Sequence, residues 1–132
     1  MKRYVFDSSA LISYLDGEPN AAKVADYLEE INDKEMEAYL CVINLGEIYY
    51  HFLRTGGKNT GETILRVIKT LPLKITEANI ELTLSAGRIK AFNKMSYADC
   101  FAAALTESRK GILITSDKEF KQIEKKIKIE FL

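Results

Sequence analysis

The sequence predicts an α/β fold in which a parallel sheet of about five short strands is covered by helices on both faces. Two observations carry this. Short β-like runs alternate with helical patterns along the chain, the order that parallel strands require because each crossover supplies a covering helix. Tyr4-Val5-Phe6 and Ile112-Leu113-Ile114 are also apolar without interruption, as strands buried on both faces are.

In chain order, a strand is expected near residues 2–6, helices near 9–16 and 20–32, a strand near 37–42, and helices near 43–55 and 59–70. Between the last two, Thr55-Gly56-Gly57-Lys58 ends one helix and lets the chain reverse into the next. There follow a strand near 71–75, helices near 77–93 and 96–110, a strand near 111–115, a helix near 117–125 and a strand near 127–131. Ile127-Lys128-Ile129-Glu130-Phe131 alternates apolar with charged residues and suits a sheet edge. No repeat, low-complexity segment or linker divides the chain, and 132 residues suit one domain, 1–132, that buries a core without disulfide or metal staples.

Apolar residues at 47% and charged residues at 29% are an ordinary globular balance, and no apolar run is long enough to span a bilayer. Met1-Lys2-Arg3 leads straight into a strand with no cleavage site, so no signal peptide is expected, which points to the cytoplasm. Cys41 and Cys100 sit in apolar stretches without a partner at metal-ligand spacing and read as buried free thiols. The net charge of zero argues against coating nucleic acid by bulk electrostatics, but the charge is uneven. Residues 16–37 carry eight acids against Lys23 and Lys34, whereas basic residues gather at Arg88, Lys90 and Lys94 and again between Lys118 and Lys128. Solvated helix faces are one account of both clusters.

In an open parallel sheet, ligands bind beyond the carboxyl ends of the strands, where the strand order reverses. Asp7 directly follows the first strand, and Asp117 stands in the equivalent place after Ile112-Leu113-Ile114-Thr115. Were these strands neighbours, a spacing of about 4.8 Å would bring both carboxylates within reach of one ion. Each acid also has a local explanation. Asp7 can cap a helix; Ser96-Tyr97-Ala98-Asp99 and Ser116-Asp117-Lys118-Glu119 both read as capping boxes, with Asp117 then a first-turn acid. Glu47 lies a turn inside a helix, where capping cannot explain it, although Asn44, Glu47 and His51 also make a stripe that solvation would explain. Gly46 beside it weakens the helix and hints at a close approach. His51, the only histidine, reads as a surface residue, and it and the isolated cysteines make neither a triad nor a zinc site. Gly56-Gly57-Lys58-Asn59-Thr60 lacks phosphate-loop spacing, and Asp7-Ser8-Ser9 lacks the second acid of a D-x-D phosphatase. A receiver-type signalling domain is disfavoured because Thr76-Glu77-Ala78-Asn79 brings no aspartate after the third strand.

Four blocks taken together carry a resemblance: Asp7-Ser8-Ser9-Ala10-Leu11-Ile12, Asn44-Leu45-Gly46-Glu47-Ile48, Met95-Ser96-Tyr97-Ala98-Asp99-Cys100-Phe101-Ala102-Ala103-Ala104 and Leu113-Ile114-Thr115-Ser116-Asp117-Lys118-Glu119-Phe120. In order and spacing they resemble the PIN-domain ribonucleases, and within them the VapC-type toxins of toxin–antitoxin pairs. The resemblance implies a three-layer α/β/α fold with strand order 3-2-1-4-5, which makes strands one and four neighbours. It carries Asp7, Glu47, Asp99 and Asp117 into one cleft as metal-binding and catalytic acids. It places Ser8, Asn44 and Thr115 around them, and Glu119 where relatives often have a further aspartate. Oxygen ligands without histidine or thiolate select Mg²⁺ or Mn²⁺. The implied activity is endonucleolytic hydrolysis of RNA, with Arg88, Lys90 and Lys94 ahead of the Asp99 helix as candidates to position phosphates. The implied partners are a cognate antitoxin, received near Ile12, Tyr14, Leu15 and the helix near 20–32, and a second copy in a homodimer. An RNA-processing PIN nuclease without an antitoxin, and a non-catalytic RNA-binding module, are the competing readings.

Overall fold

The computed structural model describes residues 1–132. Its elements are β1 (Arg3–Phe6), α1 (Ser8–Leu15), α2 (Ala21–Lys34), β2 (Glu37–Cys41), α3 (Val42–Thr70), β3 (Lys74–Thr76), α4 (Ile80–Phe92), α5 (Tyr97–Arg109), β4 (Ile112–Thr115), a 3₁₀ segment (Lys118–Ile123) and β5 (Lys128–Phe131). All strand pairs are parallel and the order is 3-2-1-4-5, so β1 lies between β2 and β4 and the order reverses beside it. This is the three-layer arrangement, with the strand order, that the resemblance implies. β5 occupies an edge, as its alternation requires. No helix is long and apolar enough to cross a membrane.

The alternation of side chains along each strand divides the core in two. Val5, Tyr39, Cys41 and Leu113 face α4, α5 and the 3₁₀ segment, while Tyr4, Phe6, Leu40 and Ile114 face α1, α2 and α3. The middle strands are therefore covered on both sides, and this is why their sequences run apolar without a break. α5 is buried from Asp99 to Thr106. Its Ala102-Ala103-Ala104 run lets it lie between the sheet and α4 with its first turn among the strand ends. Lys110, left-handed at φ 51°, then turns the chain directly into β4.

Four elements differ from the expected ones. The two helices expected near 43–55 and 59–70 form one element, α3, interrupted at Gly57. The third strand begins only at Lys74, and α4 starts at Ile80 because Asn79 Oδ1 caps it by accepting the Leu82 N–H at 2.9 Å. The helix expected near 117–125 is a six-residue 3₁₀ segment whose cap is Asp117.

Gly57 has φ 84° and ψ −176°, a region in which a Cβ is heavily strained, and this is what breaks α3. Gly46 is helical with open space where a Cβ would go. The same substitution should therefore act in opposite directions. Gly57→Ala is expected to lower unfolding stability by about 1–3 kcal/mol, and Gly46→Ala to raise it by up to about 1 kcal/mol. Urea denaturation measures both, and an unchanged midpoint for Gly57→Ala would contradict the strain.

Candidate active site

The site forms beyond the carboxyl ends of β1 and β4. Asp7 continues the β1 ladder, its N–H donating to the Ile114 carbonyl at 3.3 Å, and its side chain caps α1 by accepting the Ala10 N–H at 2.9 Å. Its capping role is thus real, and it coexists with complete burial of the residue, 0% exposed. Two hydroxyls converge on the same carboxylate. Thr115 Oγ1 donates to Oδ2 at 2.5 Å, and Ser9 Oγ lies 2.8 and 2.9 Å from the two oxygens. Thr115 Oγ1 also accepts the Asp117 N–H at 2.9 Å, and Ser9 Oγ accepts the Ser116 N–H at 3.2 Å. The two hydroxyls tie the end of β4 to the end of β1 and hold Asp117 beside Asp7.

Asp117 itself caps the 3₁₀ segment, accepting the Glu119 N–H at 2.9 Å. Ser116 is therefore not the cap, and Glu119 is not the closing member of a capping box. Asp99 lies in the first turn of α5, where Ser96 Oγ accepts its N–H at 3.1 Å. One carboxylate oxygen each of Asp99, Asp117 and Glu119 falls within a group spanning no more than 4.8 Å. Glu47 reaches this region from α3: Ser8 Oγ donates to its Oε1 at 2.8 Å and Asn44 Nδ2 to the same atom at 3.1 Å. Asn44 Nδ2 also bonds the Ala98 carbonyl at 3.2 Å, which ties Glu47 to the start of α5. Apart from its chain neighbours and the surrounding backbone of its own helix, nothing stands within 4 Å of a Cβ built at Gly46, so no other element makes the close approach suspected there.

The PIN domain family model matches residues 4–126. The chain belongs to the PIN-domain family. Its fold is shared by VapC-type PIN proteins. VapBC2 from Rickettsia felis, described as bound to a promoter DNA fragment, superposes with a TM-score of 0.79 at 18% identity, covering 98% of each chain. DNA-bound VapBC from Salmonella typhimurium gives 0.74 at 15% identity, again over 98% of each. VapC20 from Mycobacterium tuberculosis, described as a toxin that cleaves the sarcin–ricin loop, gives 0.72 at 13% identity over 90% of this chain and 93% of its own. No curated protein sequence matches the chain.

No basic side chain forms an ion pair with the acids of this PIN domain. The three ion pairs, Arg3–Glu37, Lys34–Glu30 and Lys74–Glu37, all lie elsewhere. Burial pushes the Asp7 carboxyl up to about 6, against the hydrogen bonds from Thr115, Ala10 and Ser9, and the charge of Asp117 adds to the rise. Asp99 is pushed up to about 7, first by burial and then by the charges of Asp117 and Asp7, with Glu47 adding less and Ser96 opposing. Asn44 Oδ1 is buried without a hydrogen-bond partner. An all-oxygen, anionic donor set with an orphaned carbonyl oxygen beside it fits a hard divalent cation and its water shell. Cys100, next to Asp99, is buried with its thiol pushed up by that burial, and His51 packs edge-on against Phe52, so neither joins the donors.

Arg88, Lys90 and Lys94 are all exposed, at and just after the end of α4. Lys94 lies nearest the acids by connection: Gln122 accepts its N–H and donates to its carbonyl, both at 3.0 Å, and also donates to the Glu119 carbonyl at 3.0 Å. Arg88 instead lines a cavity that no member of the acid cluster borders. Ser9 and Gln122 are the residues that sequence reasoning passes over. Ser9 stands in the same short run as Ser8, and only the direction in which α1 leaves β1 reveals that it, not Ser8, bonds Asp7.

A carboxyl whose folded value is raised is protonated more in the folded than the unfolded chain, so its contribution is greatest at low pH and fades as pH rises through the raised value. For Asp7 and Asp99 that window is about pH 4 to 7. The depressed groups, Glu30 and Glu37, act below it. In EDTA, the melting temperature is therefore expected to fall between pH 5 and 8, reflecting a loss on the order of a few kcal/mol. Asp99→Asn should flatten the profile and melt higher than wild type at pH 8. A wild-type melting temperature that climbs across this range would contradict the assignment.

Proposed function

We propose that this PIN domain is a divalent-metal-dependent endoribonuclease, with Asp7, Glu47, Asp99 and Asp117 holding Mg²⁺ or Mn²⁺ and Glu119 completing the cluster. The observation that carries the reading is the unpaired convergence of these acids at the switch point of the sheet. Carboxylates about 4 Å apart repel by roughly 4 kcal/mol at an effective dielectric near 20, so several cannot stay ionised there without a cation. Bound at this cleft, a divalent ion supplies positive charge to a scissile phosphate and lowers the pKa of a nearby water, the two needs of phosphodiester hydrolysis. The chain supplies the rest. Thr115 and Ser9 fix the Asp7 carboxylate, Ser8 and Asn44 fix Oε1 of Glu47, and the unpartnered Asn44 Oδ1 offers an acceptor that orients a water in the cleft. Lys90 and Lys94, exposed just ahead of the Asp99 helix, position phosphate.

The same reading makes the chain the toxin of a VapBC-type pair, acting in the cytoplasm and silenced by a cognate antitoxin. The structural neighbours described as VapBC complexes support this, and half-buried Ile12, Tyr14 and Leu15 on α1 beside acidic α2 are a surface for that partner. The same reading includes assembly with a second copy of the chain as a homodimer.

Single-stranded RNA incubated with purified protein should be cut with Mg²⁺ or Mn²⁺ and left intact in EDTA, with Asp7→Asn inactive. Thr115→Val, which removes the hydroxyl from Asp7 without removing a carboxylate, is expected to lower activity about 10- to 100-fold, most of it recovered at high metal concentration. Full activity of Asp7→Asn would overturn the nuclease reading.

A further inference from the structure

Phe92, the last residue of α4, is 85% exposed, more than any other large apolar side chain. It stands on the rim of a cavity of about 300 Å³ whose walls include Ile89 and Ile123 and whose charged groups are Arg88, Lys126 and Glu107. Arg88 and Phe92 are four residues apart and share one helix face. Asn93 ends the helix there, its Nδ2 bonding the Ile89 carbonyl at 2.9 Å, so the ring is held at the surface. Gln122 then clamps the next residue, Lys94, to the segment that carries Asp117 and Glu119. The Lys94–Gln122 contact therefore ties the end of α4, beside the cavity rim, to the segment that carries the acids, and Lys90 and Lys94 there are exposed.

We propose that this cavity is a nucleotide subsite for single-stranded RNA, in which Phe92 stacks on a base flanking the scissile bond while Arg88 and Lys126 meet its phosphates. The proposal rests on the reading of the acid cleft as a ribonuclease centre. An exposed aromatic ring among cations is the pattern by which single strands are held, since every base offers a stacking face and the backbone seeks positive charge. Both basic wall residues outnumber the single acid, Glu107, so the cavity favours an anionic strand over an acidic peptide.

The chain has no tryptophan, so Phe92→Trp introduces one indole at the subsite, at a position too exposed to disturb the core. Titrating this variant in EDTA with a single-stranded RNA of roughly 12 nucleotides, a length such grooves accommodate, should quench the indole emission, and duplex RNA of the same sequence should not. In a parallel polarisation assay Phe92→Leu should bind the labelled strand roughly 10- to 100-fold more weakly, with Phe92→Tyr close to wild type. Arg88→Ala should weaken binding and flatten its salt dependence. Wild-type affinity in Phe92→Leu, or an indole that responds to a partner protein and not to RNA, would overturn the subsite while leaving metal-dependent cleavage intact. Failure of the wild type both to bind and to cut RNA would overturn the subsite and the nuclease reading together.

Discussion

The pairing of β1 with β4 is the constraint on which the rest depends. Phe6 lies beside Ile114 in parallel register, and the next residue of each strand is Asp7 on one side and Thr115 on the other. The hydroxyl of Thr115 meets the carboxylate of Asp7 because both strands end at the same level. A slip of one residue would turn Asp7 toward the opposite face and dissolve the cluster. Burial of Val5, Phe6, Leu113 and Ile114 against two separate helical layers resists that slip, so the apolar core specifies the polar site.

Electrostatics oppose what packing imposes. A fully buried Asp7 and a buried Asp99 stand near Asp117 with no basic side chain paired to any of them, while the acids outside the cleft, Glu37 and Glu30, do find lysine or arginine. The protein offsets part of the cost with neutral donors: two hydroxyls and a backbone N–H on Asp7, and a hydroxyl and an amide on Glu47. These donors orient the oxygens without neutralising them. The cleft is left anionic, with its oxygens oriented by these donors, which suits a hard cation.

Much of this is legible from residues alone. Uninterrupted apolar runs mark the inner strands, alternation marks β5 as an edge, and acids directly after two strands mark the switch point. Strand adjacency is not legible in that way, because hydrophobic pattern reports burial and not neighbours; the ordered motif blocks resembling PIN domains supply it. Asp99 is hidden for a related reason. It opens a helix that follows another helix, and nothing local reveals that the alanine run of α5 seats it under the strand ends. Ser9 and Ser8 are chemically identical in the sequence, and their division of labour between Asp7 and Glu47 follows only from the direction in which α1 leaves the strand. The 3₁₀ segment keeps helical spacing, and its shortness shows only in the backbone bonds.

Whether this cluster of acids binds one or more divalent cations is tested, without any RNA, by Mn²⁺ binding followed by electron paramagnetic resonance. The free-ion signal of Mn²⁺ should vanish on titration into the protein near pH 7.5, return on addition of Mg²⁺, and persist in Asp99→Asn and Asp117→Asn. A free-ion signal that the wild type leaves unchanged, or that both variants remove equally well, would contradict cation binding at this cluster.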